Sequence, residues 1–209
     1  MNSTSSSTAR SAPPRAPGLS AVQLQSAQRW HFYFLTFGRF HNLSYNSSML
    51  NIRKATIDDI PLILEFIREL AEYERAPQEA VAAPEDLQRD GFSAEPRFYV
   101  EIAEWDSEPA GFALWFFNYS TWQGKPGIYL EDLFVRPRFR QKGIGKALLI
   151  HVAKIAVQKG CGRYQWQVLD WNTPAIKFYE SLGAKVMQEW LTMRVTGEAL
   201  RKLGEQSPT

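Results

Sequence analysis

The chain has a single cysteine, Cys161. That excludes a disulfide framework and a cysteine-based zinc site, and it leaves the redox compartment open. Only three histidines are present, and they assemble no Ser-His-Asp set: His31 and His41 fall in the N-terminal tail, and His151 falls on a long helix, where a capped or surface position fits better than catalysis. No run approaches the ~18 apolar residues of a membrane-spanning helix. Acidic residues are absent from residues 1–50, which carry Arg10, Arg15, Arg29 and Arg39. The formal charge of +2 therefore hides a mildly acidic remainder of 20 basic against 22 acidic groups. A nucleic-acid binder needs a basic face to neutralise phosphates, so neither nucleic acid nor membrane is an expected partner.

What is present is apolar and aromatic: 44% hydrophobic residues, with seven Trp and 13 Phe, in 209 residues. This suffices for the core of one domain with an extension. Residues 1–48 are Ser-rich, with Pro13, Pro14 and Pro17 near the start. They show no sustained periodicity beyond an aromatic cluster from Trp30 to Phe40, and they read as a disordered extension. Two origins stand open for it: an organelle transit segment, or a gene start placed upstream of the true one at Met49. The expected location is cytoplasmic unless that segment directs the chain to an organelle. Residues 49–209 read as the folded domain.

Met49–Ala55 reads as a first strand. Thr56 with Asp59 opens a helix whose apolar face is Ile60, Ile63, Phe66, Ile67 and Leu70, and whose end, Ala71 to Arg75, is acidic and aromatic. A short helix follows Pro84 to about Gly91. Phe98–Trp105 and Ala110–Tyr119 read as antiparallel strands joined by Asp106-Ser107-Glu108-Pro109.

The informative stretch is Ile128–Gly160. Ile128–Val135 is apolar on both alternating faces, the pattern of a strand covered on both sides. Pro137 stops it, and from Ile144 the period becomes helical through Leu148, Val152 and Ile155 to a cap at Gly160. The turn between holds Arg140, Gln141, Lys142, Gly143 and Gly145. Glycines at a helix start let backbone N–H groups reach an anion, the helix dipole adds positive potential, and Arg140 and Lys142 add charge, so the turn suits phosphate. It is neither a dinucleotide fingerprint, which needs a small residue where Leu148 stands, nor a P-loop, which needs Ser or Thr where Ala147 follows Lys146. Downstream, Tyr164–Leu169 reads as a strand. A short helix has Thr173 as cap and Pro174 at its first position. Ala184–Gln188 and Trp190–Val195 look like two closing strands, and a last helix spans Gly197–Gly204. The order is α/β with a mixed sheet.

Among side chains able to do chemistry, Glu131 and Asp132 stand out. A carboxylate in so apolar a strand is costly to bury charged, so its pKa should rise, which suits it to accept a proton near neutral pH. Alternation points the two to opposite faces unless a bulge intervenes. Tyr179, in a stripe with Ala175, Phe178 and Leu182, reads by periodicity as core.

Arg-x-x-Gly-x-Gly, Arg140 to Gly145, preceded by Glu-Asp-Leu-Phe-Val and followed by Asn-x-x-Ala-x-x-Phe-Tyr-x-x-x-Gly-Ala, resembles the GCN5-related N-acetyltransferases, which use acetyl-CoA. The resemblance implies their fold, a mixed, mostly antiparallel twisted sheet flanked by helices. It also implies cofactor contacts from Leu133, Phe134 and Val135, from the turn residues Arg140 to Lys146 including Ile144, and from Asn172. In that family a Tyr at the position of Tyr179 acts as general acid. Glu69–Glu74, Asp90-Gly91-Phe92, Tyr119–Trp122, Tyr129–Asp132 and Leu169–Asn172 together are similar to the diamine acetyltransferases and their thialysine N-epsilon-acetyltransferase relatives. That likeness implies Glu131 as base through water and an acceptor pocket of Glu74, Trp122 and Asp132. It further implies a small cationic primary amine as substrate, a homodimer, and no metal. Ser120 stands where polyamine-specific members place a carboxylate, which favours a lysine-like or thialysine-like amine. Two rivals stand beside this: acetylation of protein lysines or N-terminal amines, and a catalytically silent acyl-CoA sensor.

Overall fold

A computed structural model of the chain describes residues 49–207; the extension expected over 1–48 lies outside them. Five strands form one sheet in the order β1 (Leu50–Lys54), β2 (Tyr99–Trp105), β3 (Glu108–Ser120), β4 (Lys125–Val135) and β5 (Arg163–Trp166). Neighbours run antiparallel from β1 to β4, and β5 runs parallel to β4. Five α-helices and three single-turn 3-10 helices complete the described fold, the α-helices being α1 (Ile60–Tyr73), α2 (Pro84–Gly91), α3 (Ile144–Gln158), α4 (Thr173–Ser181) and α5 (Gly197–Gly204). The mixed, mostly antiparallel sheet between helices is the architecture expected from the sequence. Among the described residues, no helix is long and apolar enough to cross a membrane.

The sheet has a core on each face. α1 and α2 cover one face, where Ile63, Phe66, Ile102 and Phe112 are fully buried and Phe66 stacks on Phe112 with ring centroids 5.3 Å apart. α3 covers the other, packing Ile144, Leu148 and Val152 on Ala113, Trp115, Ile128 and Leu130. His151 turns back from α3 to the buried Glu101 of β2, 3.2 Å away, so it takes the structural place its helix position suggested.

Local chemistry sets the boundaries. Thr56 donates its backbone N–H to Asp59 at 2.7 Å, and Arg53 grips the same carboxylate with two bonds of 2.8 Å. That holds Asp59 well below the usual carboxylate range, at about 2, with the Arg53 hydrogen bonds as the main cause. α3 ends as expected, with Gly160 left-handed at φ 68° and Cys161 N–H donating back to Ala156.

Three details differ from the sequence reading. The β2–β3 hairpin turns on two residues, Asp106 and Ser107, both at positive φ, the mirror-image turn whose twist matches the strands. The cap of α4 is Asn172, whose side-chain oxygen accepts the Ala175 N–H at 3.4 Å, with Thr173 the first helical residue. Ala184–Gln188 and Trp190–Val195 do not form strands. Their alternation is real, but a strand requires a hydrogen-bonding partner edge, and this segment touches β5's continuation only through a Gln167–Thr192 side-chain bond.

Candidate active site

β4 and β5 pair only from Gly127↔Arg163 to Leu130↔Trp166. Beyond that point they part, and Glu131–Val135 on one side face Gln167–Leu169 on the other across a cleft of about 320 Å³. The end of α1 (Leu70, Tyr73, Glu74), Arg140 from the glycine turn, and Asn172, Ala175 and Tyr179 from around α4 close its walls.

A β-bulge arranges the acids. Leu114 of β3 stands opposite Asp132 and Trp115 opposite Leu130, so Glu131 is an extra residue on β4. Ile128 and Leu130 pack towards α3, and so do Leu133 and Val135, although the step of three positions from Leu130 to Leu133 would put them on opposite faces of a regular strand. Asp132, level with Leu114, therefore lies on the α1 side, and Glu131 stands exposed beside it. Both carboxyl groups line the same cleft with Glu74, an arrangement plain alternation forbids.

The acids differ electrostatically. Burial pushes the Asp132 carboxyl up to about 7, and the nearby carboxylates of Glu131 and Glu74 push the same way. The rise expected for an acid in this strand thus falls on Asp132. Glu74 is an exposed residue, yet its carboxyl lies near enough to the cleft wall for desolvation to raise it. Tyr179 is half-buried with its ring 5.0 Å from Trp166. Burial raises its phenol above the ordinary value, with Tyr73 and Glu74 adding to the rise, so it keeps its proton throughout the neutral range.

The strand edge facing the cleft has free polar backbone. A Cβ on Gly111 would collide with the Phe134 carbonyl oxygen, so that carbonyl points towards β3. The Val135 carbonyl accepts Arg140 Nε–H at 3.0 Å on the other side. By alternation the amides of Leu133 and Val135 face the cleft.

At the glycine turn, Gln141 and Gly143 take left-handed conformations, φ 63° and 81°, and α3 begins at Ile144. Ile144 is buried in the core, so it offers the site only its backbone N–H, while Lys142 and Lys146 are exposed. The Lys142 ammonium lies over Trp105, 4.6 Å from the ring centre. A side chain on Gly145 would meet only Val135, at an ordinary 3.7 Å. The protein's own packing does not demand glycine there, and the open space before the free amides of α3 fits a phosphate group.

The remaining sequence candidates sit elsewhere. Trp122, at the β3–β4 turn, is 89% exposed and meets Trp190 edge-on at 6.3 Å; it does not line the cleft. Ser120 is buried and accepts the Gln123 N–H at 3.3 Å, closing that same turn. The sequence reading did not single out Tyr73 or Trp166–Leu169 as cleft walls. The latter had no local signal: the strand expected over Tyr164–Leu169 ends at Trp166, because its pairing with β4 stops after four rungs and leaves the two ends facing one another.

Residues 63–184 match the acetyltransferase (GNAT) family. The thialysine N-epsilon-acetyltransferase of Sus scrofa is 41% identical over 163 residues, covering 73% of this chain and 95% of its own. The L-ornithine N5-acetyltransferase NATA1 of Arabidopsis thaliana is 36% identical over 197 residues, with coverage of 73% and 86%. Among solved structures, an integron cassette protein from the mobile metagenome of V. cholerae superposes with a TM-score of 0.65 at 29% identity, covering 76% of this chain and 99% of its own.

Proposed function

The chain belongs to the acetyltransferase (GNAT) family and is an N-acetyltransferase using acetyl-CoA; from that premise we propose that its acceptor is the side-chain amine of a small thialysine-like or ornithine-like molecule. The observation that carries this reading is the convergence of Glu74, Glu131 and Asp132 on one cleft with Tyr179. Three carboxylates attract a cation, and one of them titrates where an amine must be relieved of a proton.

When bound, acetyl-CoA supplies the acetyl group as an activated thioester. The Arg140–Lys146 turn is suited to its pyrophosphate, the cleft-facing edge of Leu133–Val135 to its acyl carbonyl and arm, and Asn172 to the arm from the opposite wall. Asp132 accepts the proton of the acceptor's ammonium. Glu131, exposed at the bulge, passes it to water, which shares between two neighbours the base role the resemblance gave to Glu131 alone. The amides of Leu133 and Val135 orient and polarise a carbonyl oxygen. Tyr179 holds a proton at its hydroxyl, available to a departing thiolate.

Release of CoA by the full chain, measured with thialysine, L-ornithine, lysine, spermidine and a lysine-containing peptide, tests the reading. Preference for the small amino acids supports it. Preference for the peptide would favour protein acetylation, and acetyl-CoA binding without turnover would favour a sensor.

We also propose a homodimer. The apolar segment 184–196 leaves Trp190, Leu191 and Met193 exposed, and Thr192 within it bonds Gln167 just beyond the edge strand β5. Sedimentation should give twice the monomer mass, and a monomer at micromolar concentration would refute it.

A further inference from the structure

α1 ends in an unusual way. Arg75 adopts φ 64°, and the N–H of Ala76 returns to the Ala71 carbonyl at 2.9 Å. This is the helix ending that glycine or asparagine ordinarily completes. A long side chain held in the left-handed region is strained, and such strain tends to persist where the side chain has a task. The guanidinium of Arg75 lies 4.9 Å from the centre of the Trp171 ring, and Tyr73 approaches the same ring at 6.4 Å. Residues on both sides of this contact line the cleft: Glu74 precedes Arg75, and Asn172 follows Trp171. Among the described residues Arg75 makes no ion pair, whereas Arg53, Arg89, Arg136 and Arg201 each have carboxylate partners.

We infer that Arg75, held on the Trp171 face at the cleft rim, is an anion subsite that takes the α-carboxylate of an amino-acid acceptor. The inference rests on the function proposed above and specifies its substrate class. A cleft carrying three carboxylates draws in an ammonium but repels a carboxylate on the same molecule, so an amino acid needs a compensating cation at the mouth. Arg140, the one cation among the described cleft-lining residues, is tied to the Val135 carbonyl and belongs to the glycine turn. Stacking on an indole leaves the guanidinium's in-plane N–H groups free for a carboxylate. A diamine would bring its second ammonium to Arg75 with no carboxylate beside it to offset the repulsion, so the same residue favours one class and disfavours the other.

The test compares two matched pairs as acceptors: L-ornithine with 1,4-diaminobutane, and thialysine with bis(2-aminoethyl) sulfide. For the wild type, kcat/KM should favour the carboxylated member of each pair. Arg75→Gln should cut that preference about tenfold or more, through KM of the amino acid, as expected for loss of a charge-assisted bond. Arg75→Lys should restore most of it, and urea unfolding of both variants reports whether the helix end survives. An unchanged ratio in a folded Arg75→Gln protein, or an equal loss for both members of a pair, overturns the inference alone. Failure of the wild type to turn over any of the four amines overturns the proposed function and this subsite with it.

Discussion

Replacing Asp132 with asparagine should separate the stability of the fold from its chemistry. The carboxyl titrates near 3.8 in an unfolded chain and at about 7 in the cleft. Between those values the folded protein binds a proton the unfolded chain has lost. This group's stabilisation is therefore fully present below pH 3.8 and is lost as pH rises through 7. The free energy involved is about 4 kcal/mol, taking 1.36 kcal/mol for each tenfold change in proton affinity. Asparagine fills the same space without a charge, so Asp132→Asn should match the wild type near pH 4 and exceed its stability by up to about 4 kcal/mol near pH 8.5. Urea unfolding at a series of pH values measures the gap. Over the same range, kcat/KM of the wild type should rise through about pH 7 as the carboxylate forms, and the variant should lack this rise and run about 10²–10⁴-fold slower. A stability gap independent of pH would show that Asp132 is not desolvated. Retained activity in Asp132→Asn, with loss in Glu131→Gln, would return the base to Glu131 alone.

Tyr179→Phe should lower kcat by about 10²–10⁴-fold while leaving KM for acetyl-CoA within about twofold, because the proton is lost and the ring packing against Trp166 is kept; a large KM change with unaltered kcat would make Tyr179 a packing residue. Gly111→Ala forces a Cβ against the Phe134 carbonyl, so β4 must shift. We expect about 1–3 kcal/mol of destabilisation in urea together with reduced turnover, since the strand that moves is the one lining the cleft. Phe66→Ala removes a fully buried ring stacked on Phe112 and should cost about 3–5 kcal/mol; a loss under 1 kcal/mol would mean that the α1-side core collapses to fill the gap.

The elements around the cleft were largely legible in the chain because their signals are local. The change from strand to helix period between Val135 and Ile144, with Pro137 and the glycines between, marks β4, the turn and α3 without reference to anything distant. Features that depend on a partner were not. The bulge at Glu131 exists only in register with Leu114 and Trp115 of β3, so the sequence could state what a bulge would do to the two acids but not that one is there. Segment 184–196 has strand-like alternation but forms no backbone ladder with the edge strand β5. Asn172 and Thr173 are both good caps, and only the path of the chain selects the first. Trp122 and Ser120 are three-dimensional questions of the same kind: both lie in or beside the turn that precedes β4, whereas the cleft is lined by the other end of that strand, Leu130–Val135.

The extra residue at Glu131 also bears on how such a site can change. An uninterrupted strand assigns every second side chain to the core, so two adjacent positions can never both be released for chemistry. By resetting the phase between Leu130 and Leu133, the bulge frees a consecutive pair while the hydrophobic residues before and after it keep their places. Glu131 and Asp132 can accordingly vary in charge and length with little consequence for packing on the α3 face. Deleting Glu131 would remove the bulge while leaving Asp132 opposite Leu114 and Leu133 opposite Ala113, so the core would keep its phase and the cleft would lose one carboxyl group. The sheet therefore needs neither the identity nor the presence of the extra residue, which leaves that position to the chemistry of the cleft.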